Sequence, residues 1–327
     1  KFSPERMRAW GRVALITSLV QAILTAAVTT LGLVLLGIEP AVALLLGGVA
    51  CATAPAATFD VVREERAAGP LTDTLLGVVA FDDAWALLIF SLAAAAVAVM
   101  TGMGEGNGFL FHALREVGGA VLLGGVLGLV AGWLTQRIRP GEPTLLEALG
   151  IVLLTAGLAT LWNLSFILAA ITLGAVMTNV ARHHERAFHE IEHIEWPFLL
   201  LFFVLAGASL HVDVLLGVGA LGVAYVLLRV VGKIAGGVLG VALAGGDATL
   251  RRWLGPALLP QAGIALGLAL IIEQRFPDID GYLLSIIIAA TVVFEIFGPP
   301  CTRLALRRSG EAGRARPDGD DETPYSP

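Results

Sequence analysis

Charge is scarce in this chain of 327 residues: only 15% are Asp, Glu, Lys or Arg, 57% are hydrophobic, and the mean hydropathy is +0.83. That balance excludes a soluble globular domain and leaves a polytopic membrane protein whose solvent is the lipid bilayer. Cysteine is scarcer still. Cys51 and Cys301 are the two present, both in or at the end of apolar stretches, with no spacing suited to a disulfide framework or a metal cluster. Both read as small packing residues. No cofactor, no resident metal and no nucleic-acid partner are expected.

What the chain does have is a succession of apolar runs, each roughly 17–25 residues long, as a bilayer span requires. They fall at 13–37, 41–66, 71–100, 109–135, 144–161, 163–180, 195–209, 214–243, 252–273 and 281–302. Loops between correctly placed spans should alternate in basic content. They do: seventeen of the 21 Lys and Arg fall on one side, Arg115 and Arg275 on the other, and Arg229 and Lys233 inside a span. Both termini are therefore expected on the cytoplasmic side of the plasma membrane. The opening Lys1-Phe2-Ser3-Pro4-Glu5-Arg6 reads as an inter-helix loop, so the chain is expected to lack its amino-terminal helices. Residues 303–327, polar and rich in Gly, Asp and Arg, read as a disordered cytoplasmic tail.

Two spans are interrupted in the middle. Around Pro55, two threonines and a proline break the run Cys51 to Thr58, and Gly255 to Gly263 holds Pro256, Pro260 and Gln261 between its glycines. Backbone that is not helical at membrane depth is tolerated only where it is buried or lines a cavity. The loop alternation places 13–37, 41–66 and 71–100 in the opposite sense to 214–243, 252–273 and 281–302, and the broken span is the middle one in both triplets. Inverted three-helix repeats with facing broken helices are the architecture of a secondary transporter whose site lies at the midplane.

That site needs charge. Asp82 and Asp83 stand side by side in the span 71–100, where a carboxylate costs at least ~2.5–3.5 kcal/mol. Half-helix ends present partial charges, positive at amino ends and negative at carboxyl ends. The aspartates answer the first; Arg229 and Lys233, one turn apart, answer the second. Hard oxygen ligands suit a small monovalent cation: a carboxylate, freed carbonyls and the hydroxyls of Thr53 or Thr58. A carboxylate that must lose its proton to bind the cation makes the two compete, and alternating access turns competition into exchange. Glu295 is a candidate structural partner for Arg229. The cluster His183, His184, His189 and His193 among glutamates reads as a solvated interfacial helix, with a pH sensor as the less favoured reading.

The run Ala52-Thr53-Ala54-Pro55-Ala56-Ala57, then Gly69-Pro70-Leu71-Thr72 and Val78-Val79-Ala80-Phe81-Asp82-Asp83, resembles the monovalent cation/proton antiporter superfamily, the bacterial sodium/hydrogen exchanger domain of two-aspartate type. The resemblance continues through Phe202 to Ala208, Arg229-Val230-Val231-Gly232-Lys233, Leu259-Pro260-Gln261-Ala262-Gly263 and Glu295 to Pro299. It implies an all-α fold with a core ion-transport domain formed by 13–100 and 214–302, and linker and scaffold helices over 109–209 that usually form a homodimer. It implies Asp83 as the principal cation site, Asp82 paired with Lys233, and Arg229 at a recurring arginine position. Thr53 falls at a polar position of the first break. The expected function is exchange of Na⁺, Li⁺ or K⁺ for protons, Na⁺ favoured, with no enzymatic activity. One position departs from the pattern: many members carry Asp where this chain has Ala54.

K⁺/H⁺ exchange and a truncated, non-transporting fragment are the alternatives. An intramembrane aspartyl protease is the remote one, because carboxylates sharing a proton must face each other about 3 Å apart, whereas helical neighbours diverge by about 100°.

Overall fold

The computed structural model describes residues 4–102, 109–135, 145–162, 164–180, 201, 204, 219–276, 279 and 282–314. The expected span 195–209 and the histidine cluster lie outside them. Among the described residues the chain is helical: α1 (Pro4–Leu35), α2 (Pro40–Ala50), α3 (Pro55–Glu64), α4 (Pro70–Met100), α5 (Phe109–Thr135), α6 (Leu145–Leu161), α7 (Phe166–Val180), α8 (Gly219–Ala244), α9 (Ala248–Ala257), α10 (Gly263–Arg275) and α11 (Tyr282–Arg308). α1, the pair α2–α3, α4, α8 and α11 are each long and apolar enough to cross a membrane.

Proline sets several starts. Pro40, Pro55 and Pro70 each open a helix at its first position, where a missing N–H costs nothing and φ is already helical. α9 starts instead on Asp247, whose carboxylate accepts from the Leu250 N–H at 2.7 Å.

Both interrupted spans are broken where the sequence places the breaks. The first lies between Ala50 and Pro55, the second between Ala257 and Gly263. The breaks meet: the Ala54 N–H donates to the Pro260 carbonyl at 3.0 Å. Around them packs a core that includes Leu45, Leu46, Val49, Phe90, Leu266, Ile287 and Phe294, while large apolar side chains such as Leu31, Leu35, Leu153 and Leu243 face outward, as a hydrocarbon solvent permits.

α1 and α8 pack closely along a seam of small residues. Gly232, Gly236 and Gly240, four residues apart on α8, lie on Thr25, Gln21 and Thr17 of α1; a Cβ on each glycine would fall 2.6–2.9 Å from the facing Cα. The residue numbers run in opposite senses, so the first helices of the two triplets are antiparallel, as inverted repeats require. Contacts of Gly77 with Ala14 and of Trp85 with Ser18 run in the same sense, making α1 and α4 parallel.

The expected disordered tail is corrected in its first part. Residues 303–308 are the last turns of α11, and the chain then folds back to Arg314. Its polar residues have partners in the α3–α4 loop. Glu311 is buried, and its carboxylate accepts from the Leu71 and Thr72 N–H groups and the Thr72 hydroxyl at 2.7–2.8 Å, capping α4 from the far end of the chain. Gly69, at φ 156°, leaves the space: a Cβ there would sit 2.5 Å from the Glu311 carboxyl carbon. Arg307 grips Glu65 through two bonds of 2.7 and 2.8 Å, and Arg303 pairs with Glu64 and Glu65.

Candidate functional site

Where the breaks meet, α4 delivers Asp82 and α8 delivers Arg229 and Lys233, all three fully buried. The Lys233 ammonium lies 3.1 Å from Asp82 Oδ2 and donates also to the Cys51 carbonyl at 2.6 Å and to Thr53 Oγ1 at 2.7 Å. Thr53 in turn donates to Asp82 Oδ2. Its single hydroxyl thus accepts from the cation and gives to the anion. Asp82 Oδ1 takes a hydrogen bond from the Gln21 amide of α1. A buried ion pair is tolerated only when such additional bonds satisfy the remaining lone pairs and protons.

Arg229 has a different task. Its guanidinium donates to the carbonyls of Ala50 at 3.1 Å, Ala52 at 2.7 Å and Leu259 at 2.8 Å, with a longer contact to Pro260 at 3.5 Å. These are carbonyls at and just beyond the carboxyl ends of α2 and α9, where the helix dipoles point their negative poles. One cation bridges both breaks, and its plane lies 4.1 Å from the centroid of Phe294. The second break is held further by Gln261, which donates to the Val49 carbonyl at 3.2 Å and to the Tyr225 hydroxyl at 3.4 Å.

Asp83 diverges from this group, as the helical step demands. Its Oδ1 is buried, without a hydrogen-bond partner among the described residues. One turn along, at Leu87, α4 begins to line a cavity of about 330 Å³ shared with Ser91, Thr160, Ser165, Gln274 and others. Asp82 and Asp83 therefore stand in different surroundings.

Residues 1–306 match the sodium/hydrogen exchanger transmembrane family. The chain belongs to it. This exchanger-family chain is a transporter, a member of a cation/proton antiporter superfamily, and not an enzyme. It is 26% identical over 283 residues to the ammonium/H⁺ antiporter subunit AmhT of Alkalihalophilus pseudofirmus, spanning 84% of this chain and 68% of that protein. Its fold is similar to that of the sodium proton antiporter MjNhaP1 of Methanocaldococcus jannaschii, with a TM-score of 0.72 and 15% identity over 94% of this chain and 79% of the other.

Of the residues singled out by sequence, the exchanger fold brings Asp82, Thr53, Lys233 and Arg229 together, with Pro55 opening α3, Gly263 opening α10 and Pro260 accepting across the breaks. Glu295 is a correction. Arg229 is taken up by carbonyls and by the ring of Phe294, and the next residue along α11 turns away from it, half-exposed and unpaired with Arg229. Gln21 escaped the sequence reading, although its signal was there: Thr17, Gln21, Thr25 and Thr29 recur every fourth residue in the apolar part of α1, which marks a buried polar stripe.

Proposed function

We propose that this chain exchanges a monovalent cation for protons by alternating access, with Na⁺ the favoured ion, Asp83 as the carboxylate that holds the exchangeable ion, and Asp82 exchanging its proton through a breakable pair with Lys233. The observation that carries the reading is the asymmetry between the two aspartates. Asp82 is locked by Lys233, Thr53 and Gln21, while Asp83 keeps an oxygen that has no partner among the described residues, one turn before α4 begins to line a cavity at Leu87. The first is built to trade a proton against a lysine; the second is available to a cation and a proton in turn.

Ala54 bears on selectivity. Its backbone N–H is used across the breaks, but it brings no carboxylate, so negative charge opposite the amino ends of the half-helices falls to the aspartates of α4. The name of AmhT makes ammonium an ion to test beside Na⁺, Li⁺ and K⁺. In the same reading 13–100 and 214–302 are the moving core, 109–209 supplies the scaffold of a homodimer, and the arginine-rich ends are cytoplasmic in the plasma membrane.

The test is recovery of a quenched pH dye in proteoliposomes on addition of each cation, for wild type and Asp83→Asn. Cation-driven recovery that Asp83→Asn abolishes is the expected result. Recovery undiminished in the variant would displace the ion from Asp83, and no response to any cation would overturn the antiport reading.

A further inference from the structure

Gln21 is the uncharged amide among the partners of Asp82. It is fully buried on α1, and its amide nitrogen donates to Asp82 Oδ1. Its carbonyl oxygen, equally buried, has no partner among the described residues. An amide has two donors on nitrogen and an acceptor on oxygen, and the two ends exchange places by rotation about one torsion. A carboxylate can only accept, whereas a carboxylic acid also donates. Gln21 therefore has one end suited to each protonation state of Asp82.

Two further observations bear on the rotation. The stem of Gln21 is fixed: a Cβ on Gly236 would fall 2.6 Å from its Cα and 2.9 Å from its Cβ, so α8 holds the backbone while the terminal amide turns. Thr17 and Thr25, one turn to either side on the same face, have buried hydroxyls that lack partners among the described residues. They are acceptors within a helical turn for an amide nitrogen that has left Asp82. The Thr53 hydroxyl can also both donate and accept, but it lies on Oδ2 and is tied to the Lys233 ammonium, whereas Gln21 lies on Oδ1. The remaining groups facing Asp82 do not serve both states. Lys233 only donates, Arg229 is taken up by carbonyls, Asp83 points away, and the Cys51 thiol gives its hydrogen to the Ala22 carbonyl at 3.2 Å. α1 itself contributes no charged side chain there.

We infer that Gln21 is a positioning residue for proton exchange at Asp82: its amide nitrogen donates to the charged carboxylate and, once Asp82 takes a proton, the amide turns so that its carbonyl oxygen accepts that O–H. The proton stays on the Asp82 oxygen while the amide turns, and no covalent bond to Gln21 forms or breaks. When Lys233 is released, neither form of the fully buried Asp82 is left without a hydrogen bond. This rests on the reading of Asp82 as a proton carrier.

The test has two arms. The chain has four glutamines, Gln21, Gln136, Gln261 and Gln274, so side-chain ¹³C-carbonyl labelling of glutamine in lipid-embedded wild type gives few signals, and Gln21→Met assigns the relevant one. Acidification through the Asp82 transition is expected to move the Gln21 carbonyl resonance downfield, as acceptance of an O–H does, and Asp82→Asn is expected to abolish the movement. In the transport assay Gln21→Met is expected to move the midpoint of the pH profile upward by about one unit, a tenfold change, because the carboxylate loses a donor while the acid loses an acceptor of lesser strength. A Gln21 resonance that stays still across the pH range, or moves equally in Asp82→Asn, overturns the inference. The spectroscopic arm reads the amide whether or not any cation is transported, so its failure and that of the antiport reading are told apart.

Discussion

Arg229 and Lys233 are one turn apart on α8 yet hold different parts of the site, and substitutions should separate them. Arg229→Met removes the donors to carbonyls of both breaks, and each buried acceptor left unsatisfied costs about 1–3 kcal/mol. A fall in melting temperature larger than that of any single surface substitution, measured in lipid or detergent, is expected. Lys233→Ala leaves the Asp82 carboxylate buried with Thr53 and Gln21 alone. Loss of one partner of a buried pair costs about 3–5 kcal/mol unless the survivor becomes neutral. If the proton route runs through this pair, residual transport by Lys233→Ala no longer responds to membrane potential; unchanged electrogenicity would remove Lys233 from the route. Glu65 offers a smaller effect of known sign. The Arg307 guanidinium bonded to it holds its carboxyl below the usual glutamate range. Folding thus favours the ionised form, and the contribution is fully present above the ordinary glutamate pKa and is lost as pH falls from there through the lowered value of the folded state. The difference in melting temperature between wild type and Glu65→Gln is expected to shrink as pH falls below about 4.

At the scale of helices, the seam between α1 and α8 is the contact that brings Gln21 to the site. Gly236→Leu places a side chain where even a Cβ meets the Gln21 backbone at 2.6 Å, so the helices must part. Loss of both thermal stability and transport is expected, whereas Gly222→Ala on the same helix, with nothing within 4 Å, should gain up to about 1 kcal/mol from helix propensity. Melting curves of the two variants check the pair. The elements were legible where their cause is local. Prolines at 40, 55 and 70 mark helix starts, and Pro55 and Pro260 mark breaks, because a missing N–H acts on the helix in which it lies. The site was legible as a charge inventory, since Asp82, Lys233 and Arg229 are costly wherever they point. Their pairing across the fold was legible only in part. Whether Arg229 meets Glu295 or the ring of Phe294 turns on a single helical step, and Gln21 was hidden because an uncharged amide stands out little on a helix that also carries threonines.

Across the whole molecule, the stretch after α11 shows what a composition reading misses. Ser309 to Arg314 has the polarity of a loose tail, but its order comes from partners some 240 positions away: Glu311 meets Leu71 and Thr72, and the Gly313 N–H meets the Glu65 carbonyl at 2.8 Å. A cap of this kind contributes about 0.5–2 kcal/mol. Glu311→Ala should lower the melting temperature and raise amide exchange selectively at Leu71 and Thr72, the first residues of the helix that carries both aspartates. The fold-back also decides where the chain can be cut or joined to something else. A reporter or affinity handle attached directly at Arg308 would replace the cap of α4 with foreign sequence, and its effect on transport would be mistaken for damage to the ion site, whereas the same handle attached beyond Arg314 keeps the clasp closed.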